Sequence, residues 1–368
     1  MNWIWESDEW FNFKYDTLVL GDLENQFLHQ SGLLQGETKH IDKEEALNLM
    51  IDLACDEGLS SSAIEGEILN RDSLRSSIQK NLGLKFSQKT SPAEEGMSEM
   101  LTSLYQEFAA PLSDLLLCRW HEMVMRGRWD IPGIGAYRQH SEPMQIVSGY
   151  VGKAKVHYEA PPSAVVPIEM QRYIKWYNKT RPFSATSLPI LTRAGIAHLY
   201  FECIHPFEDG NGRLGRAIAI KAISQGINRP TIIALSDILN QDKKNYYHAL
   251  AKNNCSNEIT EWLLYFGQSI LKAQQYTLDI IDFVIAKKKF YAHFSDLLNQ
   301  RQRRVIERLF LAGTKGFEGG LSAKNYMSIA KTSASTATRD LQELVKMGAL
   351  SAEGELKSRR YFLNVSSG

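Results

Sequence analysis

The sequence predicts a mostly α-helical chain, interrupted by one short β-hairpin and closed by a winged-helix module. Two observations carry this. Apolar residues recur at close to helical spacing in segment after segment, with prolines falling between them. One Gly-containing stretch instead alternates as a hairpin does. The length, 368 residues, predicts two or three domains. A hydrophobic fraction of 43% and an aromatic fraction of 10% exclude collagen-like and disordered classes. No window approaches the roughly 18 uncharged apolar residues of a membrane helix. The first residues, Met1 to Glu9, carry no basic stretch ahead of an apolar one, so no secretory signal is expected. Cys55, Cys118, Cys203 and Cys255 are widely spaced, which predicts neither a disulfide framework nor a zinc site and suits a reduced cytoplasm.

In chain order, residues 42–56 place Ala46, Leu47, Met50, Ile51, Leu53 and Ala54 on one helical face. Similar patterns cover 97–108, 112–127, 166–178, 191–203, 213–225 and 258–286, with Pro111, Pro132, Pro182, Pro189 and Pro230 between them. Residues 143–160 are the interruption, with Gly149 and Gly152 between Gln145-Ile146-Val147 and Lys155-Val156-His157-Tyr158. Asn81 to Glu95 is polar and reads as a loop. The run Lys287-Lys288-Lys289 is expected to end the long helical region. Beyond it, helices at Arg303–Ala312, from about Ser322, and at Ser335–Met347 precede an alternating pair around Gly354, the winged-helix outline. Charge divides along the same line. Residues 287–368 carry 15 Lys+Arg against 7 Asp+Glu, so the net of +8 there balances −8 in the rest of a formally neutral chain.

The stretch that carries chemistry is His205-Pro206-Phe207-Glu208-Asp209-Gly210-Asn211-Gly212-Arg213-Leu214-Gly215-Arg216. Gly210-Asn211-Gly212 runs straight into an apolar helical pattern, so backbone N–H groups converge at a helix N-terminus and form an anion cradle. Arg213 and Arg216, three apart, face one ligand. Asp209 offers a hard oxygen beside the anion, as Mg²⁺ on phosphates needs. His205 has a side chain suited to take a proton from an attacking hydroxyl. The set implies phosphoryl- or nucleotidyl-transfer chemistry. A calcium loop fails, because Leu214 stands where Gly is required and Ile220 where Glu is required. No P-loop sequence is present.

These twelve residues match HxFx(D/E)GNGRxxR at every specified position, and the chain resembles the Fic family of protein adenylyltransferases. The resemblance implies a Fic-type helical core with a β-hairpin flap, and transfer of AMP from ATP to a Ser, Thr or Tyr hydroxyl of a target protein or of the chain itself. It casts His205 as the base, Phe207 as the loop's anchor and Asp209 as the Mg²⁺ ligand. Gly210, Asn211, Gly212, Arg213, Leu214, Gly215 and Arg216 become the nucleotide cradle. Tyr246 and Asn254, in Tyr246-Tyr247-His248-Ala249-Leu250-Ala251-Lys252-Asn253-Asn254, match positions that contact adenosine. Val156, His157, Tyr158 and Glu159 resemble the flap strand that docks the target by β-augmentation. Ser61-Ser62-Ala63-Ile64-Glu65-Gly66 matches the inhibitory pattern (S/T)xxxE(G/N), with Glu65 expected to pair with Arg216 and exclude productive ATP. Such a glutamate also serves AMP removal in some members, so a de-AMPylase reading stays open. Homodimers occur in the family.

The expected domains are 1–95, an N-terminal segment with the inhibitory helix; 96–286, the catalytic core; and 287–368, the winged helix. Trp3, Trp5, Trp10, Phe11 and Phe13 are assigned to structure. His121-Glu122 begins like a zincin motif, but Met125 replaces its second His, and His198 reads as a packed histidine. Ser335-Thr336-Ala337-Thr338-Arg339-Asp340, with Lys357, Arg359 and Arg360, leaves DNA or protein as partner of the winged helix. A DNA-binding regulator without catalysis is the rival reading, and it leaves the twelve-residue motif unexplained.

Overall fold

Helices dominate the chain, and they begin and end where side chains satisfy their exposed backbone groups. The computed structural model describes residues 3–84, 89–148, 155–231, 233–317, 319–355 and 358–365. The helices are α1 (Thr17–Glu37), α2 (Lys43–Ile64), α3 (Arg71–Asn81), α4 (Pro92–Gln106), α5 (Asp114–Val124), α6 (Val166–Lys179), α7 (Ile190–Ile204) and α8 (Asn211–Gly226). They continue as α9 (Leu235–Gln241), α10 (Lys243–Lys252), α11 (Thr260–Phe294), α12 (Gln300–Phe310), α13 (Ala323–Ala330) and α14 (Ala334–Lys346). The strands form two antiparallel hairpins, β1 (Gln145–Ser148) with β2 (Lys155–Glu159) and β3 (Leu350–Glu353) with β4 (Arg360–Leu363). No described helix is long and apolar enough to cross a membrane.

Several elements depart from the sequence reading. Helix α4 starts inside the expected loop, because Ser91 and Glu94 form a reciprocal capping box with Pro92 at the first helical position. Helix α11 runs through Lys287–Lys289 to Phe294. Lys288 is neutralised there by Asp42 (3.0 Å) and Glu45 (3.2 Å), while Phe290 and Phe294 enter an apolar core. Helix α3 escaped the periodicity because its buried face holds Ser73, Ser76 and Ser77 beside Leu74 and Ile78. Helix α1 escaped it because only Leu20 and Phe27 are fully buried.

The chain divides into two compact units, 1–32 with 47–275, and 33–46 with 276–368. In the first, α7 and α8 pack along their lengths at the centre; α7 buries every residue from Leu191 to Ile204 except Glu202. The β1–β2 hairpin pairs Ile146 with Tyr158 and Val147 with Val156, with an irregularity between Ile146 and Val147. Its tip, including Gly149 and Gly152, lies outside the described residues. Tyr158 turns inward, and its hydroxyl donates to the Cys203 carbonyl at 2.6 Å. The N-terminal aromatics strap this hairpin and α7. The Trp5 indole N–H donates to the Glu159 carbonyl (2.7 Å), Trp3 meets Tyr158 edge-on, and Trp10 and Phe13 pack on Tyr200.

In the second unit, α12, α13, α14 and the β3–β4 hairpin enclose Val305, Ile306, Leu309, Tyr326, Leu341 and Leu344. Asp340, on α14, is buried. It accepts from the Arg301 guanidinium (2.9 and 3.1 Å) and from the Tyr326 hydroxyl (3.1 Å), so that position is structural. Lys357 lies outside the described residues. Because the Tyr158 bond joins two buried groups, Tyr158→Phe is expected to cost about 1 kcal/mol in urea unfolding.

Candidate active site

The loop between α7 and α8 is held from three sides. His205 terminates α7 in the left-handed region (φ 50), a conformation uncommon for a non-glycine residue. Asn211, the first residue of α8, supplies one restraint. Its side-chain carbonyl accepts from the Phe207 N–H (3.0 Å), and its amide donates back to the Phe207 carbonyl (2.8 Å). Phe207 is fully buried and stacks on His121 at 4.1 Å. The ring of His121 accepts from the Gly135 N–H at Nδ1 (2.9 Å), so Nε2 carries the proton given to the Asp209 carbonyl (3.1 Å). Burial, and secondarily Arg213, hold this imidazole neutral, with its pKa lowered to about 4.

Arg138 supplies the third restraint, and nothing in its sequence surroundings announced it. Its backbone N–H donates to the Pro206 carbonyl (2.9 Å) and its Nε to the His205 carbonyl (2.8 Å). The same guanidinium reaches the Pro161 carbonyl (2.5 Å) and the Ser163 hydroxyl (2.9 Å). One buried side chain thus joins the loop to the segment following the flap strand.

The cradle takes shape at the start of α8. Gly210 caps it in the left-handed region. Arg213 and Arg216, both almost fully buried, lie on the same face. Arg213 pairs with Glu67 at 2.7 Å, donates to the Val124 carbonyl at 3.3 Å and approaches Asp209 at 3.5 Å. Arg216 pairs with Glu65 at 2.8 Å; its Nε donates to the Ser61 hydroxyl (3.0 Å) and its Nη2 to the Ser61 carbonyl (2.8 Å). Burial pushes the Arg216 pKa down, but Glu65, with Tyr246 and Glu202, together turn the net direction up. A Cβ built on Gly212 would stand 2.1 Å from Glu65 Oε1, so the carboxylate lies against the glycine turn itself. Gly66, in the left-handed region, turns the chain back after α2. Leu214 faces the core.

Helix α2 is fastened by more than Glu65. Buried Glu57 accepts from the backbone N–H (2.7 Å) and hydroxyl of Ser236 at the start of α9, and burial raises its pKa to about 7. Ser60 donates to Asp237 (3.1 Å), and the Tyr247 hydroxyl donates to the Ile64 carbonyl (3.1 Å).

His205 lies one loop away from the cradle. Its Nδ1 is 4.0 Å from Glu202 Oε2. Burial first, then the Arg138 charge, lowers its pKa to about 4, so the ring is neutral at pH 7. Glu202 moves the other way, to about 8, through burial and the neighbouring Glu65. Gly215 makes room for it: a Cβ there would be 2.5 Å from Glu202 Oε1 and 2.9 Å from His198 Nδ1.

Asp209 is one-third exposed, with Oδ1 accepting from the Gly210 N–H (2.5 Å) and Oδ2 from Arg128 (3.1 Å). No group of three or more His, Cys, Asp or Glu that could hold a metal exists among the described residues. A lone carboxylate beside a helix N-terminus fits Mg²⁺ that arrives already on phosphates.

Tyr246 and Asn254 sit differently from an open adenosine pocket. Tyr246 is buried, shares a 2.7 Å hydrogen bond with His198 Nε2 and reaches Arg216. Asn254 is also buried, its carbonyl accepting from the Ile4 N–H (2.7 Å). In the flap strand Val156 is exposed, while Tyr158 is locked inward and Glu159 is bound through its carbonyl by Trp5. His157, between them, is half-buried.

Residues 111–223, which hold α5, the hairpin, α7 and the cradle, match the profile of the Fic/DOC family. The chain carries a Fic/DOC domain. Residues 3–84 match a second family, described only as a domain of unknown function. The protein adenylyltransferase Fic of Drosophila virilis is 30% identical over 158 residues, covering 43% of this chain and 28% of that protein. A probable protein adenylyltransferase of Aquifex aeolicus is 34% identical over 61 residues, 17% of this chain and 18% of that one. The matched segments therefore span less than a third of these relatives. Among solved structures, a Fic family protein from Desulfovibrio desulfuricans aligns with a TM-score of 0.51 and 19% identity, over 92% of this chain and 95% of that one. A Fic-domain signaling protein from Bacteroides thetaiotaomicron aligns with a TM-score of 0.53 and 18% identity, over 70% and 95%. Both share the fold.

Removing the Arg138 guanidinium would leave several buried carbonyls without donors around the Fic/DOC loop. Arg138→Met is expected to cost about 3 kcal/mol in chemical unfolding.

Proposed function

We propose that the protein is a self-inhibited adenylyltransferase that moves AMP from ATP to a hydroxyl side chain of a target protein or of itself. The observation that carries this reading is the buried two-arginine cradle at the α8 N-terminus, with neutral His205 one loop away and the carboxylate of Glu65 lying in the cradle. The names of the curated relatives support the same reaction class.

In this reading the target hydroxyl gives its proton to a ring nitrogen of His205 as its oxygen bonds the α-phosphorus. The bond from that phosphorus to the bridging oxygen breaks, and pyrophosphate leaves. A ring held neutral by burial accepts that proton without first losing one. The amides of Gly210, Asn211 and Gly212, with Arg213 and Arg216, are fixed positive groups around the phosphates, and they need no rearrangement as charge builds there. Asp209 is the residue that would hold Mg²⁺, which would supply positive charge to offset that of the phosphates. Glu65 opposes all of this by occupying Arg216 and placing negative charge on the glycine turn.

Intact-mass measurement in ATP and Mg²⁺ tests the reading. Glu65→Gly is expected to raise AMP incorporation at least tenfold over wild type, and His205→Ala in that background to abolish it. Incorporation that survives His205→Ala would overturn the base assignment.

The pH profile gives an independent check. Because folding lowers the pKa of His205, its neutral form persists as pH falls below 6.5 and is lost only near 4. With Mg²⁺ saturating, the acid limb of kcat/KM for Glu65→Gly is expected below pH 6; a limb at 6.5 would place the base in water.

The C-terminal unit supports a second reading, a winged helix that contacts DNA. The net charge of +8 over residues 287–368 and the exposed Arg339 and Arg359 favour it. Titration of a labelled duplex at two salt concentrations should show affinity falling steeply with salt. Salt-independent or absent binding would turn the assignment to a protein partner.

A further inference from the structure

Arg128 is a cation on the carboxylate of Asp209 that the nucleotide chemistry does not use. It lies in the turn after α5, where its N–H donates to the Met125 carbonyl (3.0 Å). One edge of its guanidinium grips Asp130, Nε to Oδ1 at 2.8 Å and Nη2 to Oδ2 at 2.7 Å. The remaining nitrogen, Nη1, crosses to Asp209 Oδ2 at 3.1 Å. A guanidinium presents donors on both edges, so one side chain can bridge two carboxylates in this way.

We infer that Arg128 is a positioning residue that occupies Asp209 until the metal-bearing nucleotide arrives, and that Asp130 retains its guanidinium when it lets go. The inference rests on the reading of Asp209 as a Mg²⁺ ligand. Two cations drawn to one carboxylate oxygen repel each other at close range, so Arg128 and a divalent ion compete for Oδ2. Release is cheap because it breaks one hydrogen bond and leaves two, without setting the guanidinium free in solvent. The other cation near Asp209, Arg213, is no candidate for this exchange. It is buried, and it is held by Glu67 and the Val124 carbonyl. Arg128 is about one-third exposed and has room to swing.

The arrangement gives two substitutions opposite signs. Without the competing cation, Arg128→Ala should tighten divalent binding. Asp130→Asn removes the second holder, leaves Asp209 as the one remaining carboxylate partner of Arg128, and should weaken divalent binding. Exposed pairs of this kind couple modestly, so shifts of about two- to fivefold each way are expected.

The test uses full-length protein carrying Glu65→Gly, with Mn²⁺ as the probe and a non-hydrolysable ATP analogue present. Free Mn²⁺ is counted by electron paramagnetic resonance, and thermal melting checks that each variant is folded. A lower apparent Kd for Arg128→Ala and a higher one for Asp130→Asn support the inference. Shifts of the same sign, or no shift in either variant, overturn it. Asp209→Asn separates the two claims. If it leaves Mn²⁺ binding unchanged, the metal-ligand reading fails and the inference falls with it. If it abolishes binding while the other two variants stay at the parental Kd, only the role of Arg128 falls.

Discussion

The Arg216 guanidinium is almost fully buried and pairs with the Glu65 carboxylate, and the site is organised around that pair. Taking such a charge out of water costs several kcal/mol unless it is paired and hydrogen-bonded. Ser61 satisfies part of the demand with neutral acceptors, and Glu65 supplies the charge. A nucleotide phosphate is the other anion whose chemistry suits the position. The two cannot occupy it together, because the carboxylate lies against the glycine turn where phosphate oxygens would meet backbone N–H groups. Inhibition in the proposed enzyme therefore needs no separate lock. In that reading it follows from the pairing of Glu65 with one buried arginine.

The loop beside it obeys a related logic. His205 is held in a left-handed conformation, partly buried and neutral, by groups that are themselves buried and satisfied. Arg138 binds its carbonyl, Asn211 clamps Phe207, and His121 stacks on Phe207 while holding Asp209 from behind. The polar contacts among these are made to main-chain atoms of the loop, so none of them engages the His205 imidazole.

The sequence made the twelve-residue stretch from His205 to Arg216 legible because its chemistry is local: a turn, a helix start, and side chains three and four apart. Most helices of the first unit were legible for the same reason, through their apolar spacing. The serine-rich face of α3 and the sparsely buried α1 were not, since their partners lie elsewhere in the chain. Arg138, Arg128 and His121 were invisible as site residues because they reach the loop from 67 to 88 positions away. His121 was even met as a failed zinc motif, whereas its work is to shape the Asp209 turn. The hydrogen bond of Tyr246 to buried His198 was not legible either, because only packing brings the two together.

The several fastenings of α2 carry a consequence for how its grip is undone. Glu57 and Ser60 tie it to α9, Tyr247 to its last turn, and Ser61 to Arg216, all independently of the Glu65 side chain. In the proposed reading, a lesion at Glu65 would pull the plug while the helix stayed docked. A cellular signal that undocks the helix would also expose the face now covered at α9 and α10. Unplugging and undocking are thus separable events, and only the second would create new surface for another molecule to read.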